Sequence, residues 1–157
     1  MSVVGGPADD AVQYAALPWR KRLGKLEILL ITTRTTKRWI VPKGWPIPGL
    51  SSSDCAAHEA AEEAGVMGHV ASSSLGSFRY EKQRRSGGNI TCRVEVFAME
   101  VARQRRSWPE KAERETRWCS VDEALGRVSE PGLRRVIAKF GKTITADIDS
   151  LERPAVR

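Results

Sequence analysis

Glu59, Glu62 and Glu63 stand at i, i+3 and i+4 within an alanine-rich run from Asp54 to Gly65. Alanine is the strongest helix former, and this spacing puts the three carboxylates on one helix face. By itself the arrangement is unfavourable. Like charges one turn apart repel, and anions near a helix C-terminus oppose the helix dipole. A solvated helix offsets such charges with Lys or Arg one turn away. Here the residue four places after Glu59 is Glu63, the residue four places after Glu62 is Val66, and no Lys or Arg occurs between Gly44 and Phe78. Yet the chain has 26 Lys and Arg against 19 Asp and Glu, a formal net charge of +7. The acidic face therefore calls for an outside neutraliser, and a divalent cation with oxygen ligands is the natural candidate.

The surrounding residues are suited to hold such a face in place. Gly44-Trp-Pro-Ile-Pro-Gly-Leu50 reads as a loop. Ser51, Ser52, Ser53 and Asp54 are helix-capping types, and Gly65 is the usual residue just past a helix end. Upstream, Ala11 to Trp19 reads as a strand ending near Pro18. Leu26 to Thr33 is mostly apolar and β-branched, a strand buried on both faces. Trp39 to Pro42 is a short strand feeding the loop. Downstream, Met67 to Gly76 holds at most a weak strand. Gly76 to Lys82 and Ile90 to Val101 form a hairpin around a basic, glycine-containing turn. Thr116 to Ser120 is a further strand and Val121 to Gly126 a brief helix. Leu133, Val136, Ile137 and Phe140 give a helix from Pro131 to Phe140 its apolar face. The expected organisation is a tail over 1–10, one domain over 11–145 and a second tail over 146–157, with 153–157 frayed.

Loop, capped helix and acid spacing together resemble the box of the Nudix hydrolases, G-x5-E-x7-R-E-U-x-E-E-x-G-U, where U is bulky and aliphatic. Gly44, Glu59, Glu62, Glu63, Gly65 and Val66 take their places in it. Leu50 stands at the first Glu, His58 at the Arg and Ala60 at the first U. In the family, that Glu and Arg form a salt bridge holding the loop against the helix. Losing both leaves no buried charge unpaired, so Leu50 packing or the rigid Pro46 and Pro48 must position the helix instead. Ala60 implies closer packing of helix on sheet. Trp39-x-x-Pro-Lys-Gly-Trp45, Phe78-Arg-Tyr-x-Lys82, Trp108-Pro-Glu-Lys-x-Glu-Arg114 and Arg117-Trp118 resemble, within the family, bacterial relatives of the diphosphoinositol polyphosphate phosphohydrolases. The resemblance implies an α/β fold, the Nudix-type α/β/α sandwich with a mixed sheet.

It also implies metal-dependent hydrolysis of a phosphoanhydride. Glu59, Glu62 and Glu63 would be the metal ligands, with Glu62 and Glu63 catalytic and Mg²⁺, or Mn²⁺ in its place, as the cofactor. The substrate would be a nucleoside diphosphate derivative, a dinucleoside polyphosphate or a diphosphoinositol polyphosphate, with the polyphosphate end favoured by the basic turns. Lys43, Arg38, Arg79 and Lys82 are the expected substrate cations. No general base is assigned.

Several readings compete. A fold that keeps nucleotide binding but has lost the chemistry would explain Leu50 and His58, although it has little need of three repelling carboxylates. A nucleic-acid binder would explain the charge, yet no nucleic-acid-binding signature is present. His58 is expected as a surface or packing residue, and His69 as an exposed one. Trp45 and Tyr80 are expected to pack, with stacking on a base as the alternative. Ser51 to Ser53 have no nucleophile elbow around them. Cys55, Cys92 and Cys119 are odd in number and widely spaced, which disfavours a disulfide framework or a zinc site. No apolar run approaches a membrane span. With no basic-then-apolar leader at the start, a cytoplasmic location is the default expectation.

Overall fold

The computed structural model describes residues 10–152, with side chains through residue 147. The tail expected over 1–10 therefore lies outside the described residues except for Asp10, and so does the fraying expected over 153–157. The elements run β1 (Ala11–Arg22), β2 (Lys25–Thr32), β3 (Trp39–Ile40), β4 (Lys43–Gly44), α1 (Ser52–Ala64), β5 (Val66–Val70), β6 (Gly76–Gln83), β7 (Asn89–Gln104), β8 (Thr116–Cys119), α2 (Val121–Arg127) and α3 (Pro131–Glu152).

The sheet is mixed. β1 and β7 pair in parallel from Ala11↔Cys92 to Trp19↔Glu100, and the other strand pairings are antiparallel. Strand order is β3-β2-β1-β7-β5, with β4 on β1, β6 on β7 and β8 on β2. The length of β7 lets it hold β6 and β5 in turn along its other edge. Strand alternation then sorts the core into two layers. Ala15, Leu17, Ile28, Leu30, Val94 and Val96 face α2 and α3, where Leu133, Val136, Ile137 and Phe140 meet them. Ala16, Leu29, Ile31, Phe97 and Met99 face α1. That helix lies close because it presents Ala56, Ala60 and Ala64, all fully buried. The expected α/β/α sandwich is borne out, and Ala60 has the packing role expected of it.

Among the element boundaries that differ from expectation, two have a clear physical reason. β1 continues through Pro18 to Arg22. Pro18 falls between Tyr14 and Ala15, which pair with β4, and Trp19 onward, which pair with β2. A residue without an N–H costs no ladder bond at such a changeover. α3 continues past Phe140 to Glu152, since Ile144 extends the apolar face onto the core. No helix among the described residues is long and apolar enough to cross a membrane.

Candidate active site

α1 has the expected ends. The Ser51 side chain accepts from Asp54 N at 3.2 Å. Gly65 closes the helix at φ +70°, and a Cβ there would lie 2.2 Å from the Trp108 ring. Glycine is thus required twice over, once for its backbone and once for space.

The loop before α1 is tied down mainly through its backbone. Lys43 N donates to Glu63 Oε1 at 3.1 Å, and Ile47 N donates to Cys55 Sγ at 3.3 Å. Gly44 lies so close to Glu59 that a Cβ would meet Glu59 Oε1 at 2.3 Å. Leu50 does not supply the packing expected of it: it is 43% exposed, and Pro46 and Pro48 are exposed as well. His58 and His69 are exposed, as expected. Gly44→Ala is expected to displace Glu59 and lower turnover by about tenfold or more, with circular dichroism unchanged. Full activity in that variant would mean that Glu59 does not need this position. Replacing Leu50 with Glu and His58 with Arg together restores the family's pair at exposed positions. The denaturation midpoint should then report a change under about 1 kcal/mol.

A residue outside the box ties α1 to the sheet and to the segment before β8. Arg114, in the segment between β7 and β8, reaches three partners with three nitrogens. Nε donates to Glu110 Oε1 at 2.9 Å, Nη1 to Thr32 O at 3.0 Å and Nη2 to Glu63 Oε2 at 3.4 Å. The Arg114 and Glu63 side chains are each 8% exposed. The backbone completes the tie: Glu110 N donates to Glu62 O, and Arg105 N to Gly65 O. The inference that nothing in the protein neutralises the acidic face is thereby corrected in part. A cation distant in sequence meets Glu63, whereas Glu59 and Glu62 form no ion pair with Lys or Arg among the described residues.

Negative charge remains in excess. Burial pushes the Glu63 carboxyl up to about 7; Arg114 and Lys43 N oppose the rise, and Glu59 and Glu110 add to it. Glu59 is also raised, by burial first, with Glu110 and Glu62 adding and His58 opposing. Among the described residues, no three His, Cys, Asp or Glu side chains are gathered tightly enough to enclose a metal ion; Glu63 turns to Arg114. The donor chemistry nevertheless fits a hard divalent cation. The available ligands are carboxylate oxygens, two of them hold protons more tightly than usual, and added positive charge would relieve both.

Glu63 forms part of the wall of a cleft of about 250 Å³ that also includes Arg34, Arg38, Lys43, Lys82 and Arg114. Three of the four expected substrate cations, Arg38, Lys43 and Lys82, thus converge beside one of the expected metal ligands. Arg79 does not. It is half-exposed and paired with Asp10 at 2.6 Å, because β-strand alternation turns it away from its neighbours Phe78 and Tyr80. Lys43 Nζ donates to Tyr80 Oη at 3.1 Å, and burial lowers its pKa to about 8. Arg114 and Glu110 are absent from the expected site. The visible signal was their i, i+4 spacing within the Trp108–Arg114 segment.

A mixed sheet between helices, with a glycine loop leading into an acidic helix, defines the Nudix class of fold. Residues 13–140 match the NUDIX domain family, and the chain belongs to it. Nudix hydrolase 12, mitochondrial, of Arabidopsis thaliana is 30% identical over 124 residues, 75% of this chain and 60% of that protein. Nudix hydrolase 4 of the same plant is 34% identical over 115 residues, 73% of this chain and 54% of that protein. The chain thus spans little more than half the length of these relatives. Among solved structures, a C. elegans Ap4A hydrolase binary complex superposes with a TM-score of 0.66 at 18% identity, covering 87% of this chain and 98% of that one. The NUDIX domain of Shewanella oneidensis NrtR complexed with ADP ribose gives a TM-score of 0.65 at 13% identity, covering 90% and 94%. At these identities the likeness speaks to the fold.

Proposed function

We propose that the chain is a pyrophosphohydrolase that uses Mg²⁺, or Mn²⁺ in its place, to cleave a phosphoanhydride bond in a phosphorylated small molecule. The observation that carries this reading is the shared cleft: Glu63 sits among Arg34, Arg38, Lys43, Lys82 and Arg114. Carboxylates for a cation and cations for phosphate oxygens are the two things that phosphoanhydride hydrolysis demands.

Glu59, Glu62 and Glu63 would hold the metal, with Glu110 adding negative charge from outside the box. A bound divalent ion supplies charge neutralisation and an acidified water. The chain's own residues do the rest. Arg38 and Lys82 attract and align the phosphate oxygens, and Lys43, partly buried, fixes their position. Arg114 holds Glu63 and Glu110 at a set separation. The same proposal includes a cytoplasmic setting and a small-molecule rather than nucleic-acid partner. The printed names of two structural neighbours, an Ap4A hydrolase and a NUDIX domain complexed with ADP ribose, are compatible with such a substrate. The rival reading, a binding module without chemistry, rested on Leu50 and His58. It is weakened because the loop and α1 are held without them, through Lys43 N to Glu63, Ile47 N to Cys55 and Arg114 to Glu63.

The test is a panel of phosphoanhydride compounds with Mg²⁺ or Mn²⁺ in ¹⁸O-labelled water. Metal-dependent release of a phosphate product carrying one labelled oxygen is expected. Tight nucleotide binding without turnover under either metal would establish the binding module instead.

A further inference from the structure

The β1–β2 hairpin turns through Leu23 and Gly24, with Arg22 paired to Lys25. Both turn residues have positive φ, +51° and +76°. A two-residue turn of that kind suits Asn-Gly, because it enters the left-handed region twice. Gly24 meets the need. Leu23 does not, since a bulky L-residue is strained there. Burial does not offset the strain: Leu23 is 93% exposed, about twice as much as Trp45 and Leu50, the other exposed large apolar residues among those described. Neither turn propensity nor core packing accounts for a leucine at this tip. A local rule broken without gain to the fold points to a role outside it.

The end of the molecule that carries the tip is cationic. Arg20 is taken up by Glu27 at 2.8 Å and by the Trp118 ring, 3.9 Å from its centroid. Arg22 and Lys25, which flank Leu23 and Gly24, are exposed. β1 and β7 run parallel through Trp19↔Glu100, so Arg22 and Arg103, each three residues further on, lie at the same end of the sheet. Arg105 and Arg106 follow, and these three β7-end arginines are exposed. No Asp or Glu occurs between Asp10 and Glu27 or between Glu100 and Glu110. The cationic cleft lies at the other end of β2. The hairpin precedes Lys25, the cleft begins at Thr33, and the strand between them covers about 25 Å.

We infer that this end of the molecule docks reversibly on an anionic lipid surface. Leu23 enters the boundary between headgroups and acyl chains, and Arg22, Lys25, Arg103, Arg105 and Arg106 meet the lipid phosphates and carboxylates. One apolar side chain is too little to hold a protein on a membrane; a basic patch beside it supplies the second signal that attachment needs. A nucleic-acid backbone would engage the same cations, but it would leave the leucine facing phosphate and water. With the cleft at the far end of β2, the docked protein keeps it open to soluble substrate. The inference stands apart from the proposed hydrolysis.

The test sediments the full chain with vesicles of phosphatidylcholine alone and of phosphatidylcholine with about one-third phosphatidylserine, at about 0.1 M salt. The native chain should pellet with the anionic vesicles only, and less so as salt rises. Leu23→Asn installs a residue that the turn prefers, so Tm should hold or rise while the partition coefficient drops by about tenfold. Arg22→Glu with Lys25→Glu should lower it by about tenfold or more. Leu50→Asn alters an exposed leucine in a stretch without Lys or Arg from Gly44 to Phe78, and uptake should be unchanged. Native-like uptake of the Leu23 variant, or an equal loss in the Leu50 variant, would overturn the docking surface. So would absence of uptake by the anionic vesicles, and equal binding of the native and Leu23→Asn chains to single-stranded RNA would then assign the patch to nucleic acid.

Discussion

Replacing Glu63 with Gln is expected to lower Mg²⁺-dependent phosphate release by on the order of 10³-fold, since a ligand charge acting on the transition state is worth several kcal/mol. The fold should survive. Gln keeps an oxygen for Lys43 N, and Arg114 keeps Glu110 and Thr32 O. Stability should report the same residue with the opposite sign. The Glu63 pKa rises from 4.5 to about 7 in the folded protein. A raised folded pKa means that the folded state binds the proton more tightly. The stability this contributes is fully present below pH 4.5 and is lost as pH rises through about 7. The loss amounts to about 3 kcal/mol at most in metal-free protein. Glu63→Gln should lack this loss, and saturating Mg²⁺ should suppress it in the native protein. Urea denaturation at pH 5 and pH 8, with and without Mg²⁺, measures all three. A pH-independent native protein would show that Glu63 is not under charge strain.

The second large effect is on Arg114. Arg114→Ala removes one cation from two carboxylates, one of them buried, and leaves Thr32 O without its donor. Breaking a buried pair from one side costs about 3–5 kcal/mol. For a chain of this size that lowers Tm by roughly 10 °C. Arg114→Lys should rescue little, because three nitrogens serve three partners in fixed directions and an ammonium cannot reproduce that fork. The measurement is thermal unfolding of metal-free protein at pH 8, where Glu63 is largely ionised. A change below about 1 kcal/mol for Arg114→Ala would remove Arg114 from the positioning role. Turnover should fall as well, since Glu63 and Glu110 lose their common anchor.

What the sequence revealed and what it concealed follow from the range of the forces involved. The bounds of α1 were legible because caps and a C-terminal glycine are local signals: Ser51 and Gly65 act within one turn. The β6–β7 hairpin and the start of α3 were legible from periodicity for the same reason. Lys43, Arg38 and Lys82 could be brought beside Glu63 on paper by their proximity to the loop and by a strand running beside it, and they do line one cleft with it. Arg79 is not among the cleft residues, because strand parity turns it toward Asp10. Arg114 and Glu110 were invisible as site residues because they lie 51 and 47 positions beyond Glu63. Only the β2–β8 pairing, which sets Thr116 opposite Ile31, brings the Arg114 segment to Thr32 and α1. The family's salt bridge would have been a local signal. The tie that Arg114 makes is tertiary: it anchors α1 through Glu63, while the loop is held by Lys43 N and Ile47 N.

The proposed role of the acidic face of α1 is that of a divalent-cation site serving hydrolysis. It is tested most directly by calorimetric titration of Mn²⁺ into the native protein and into Glu63→Gln. The native chain should bind Mn²⁺ saturably, and the variant at least about tenfold more weakly. Superimposable isotherms from the two proteins would contradict the claim.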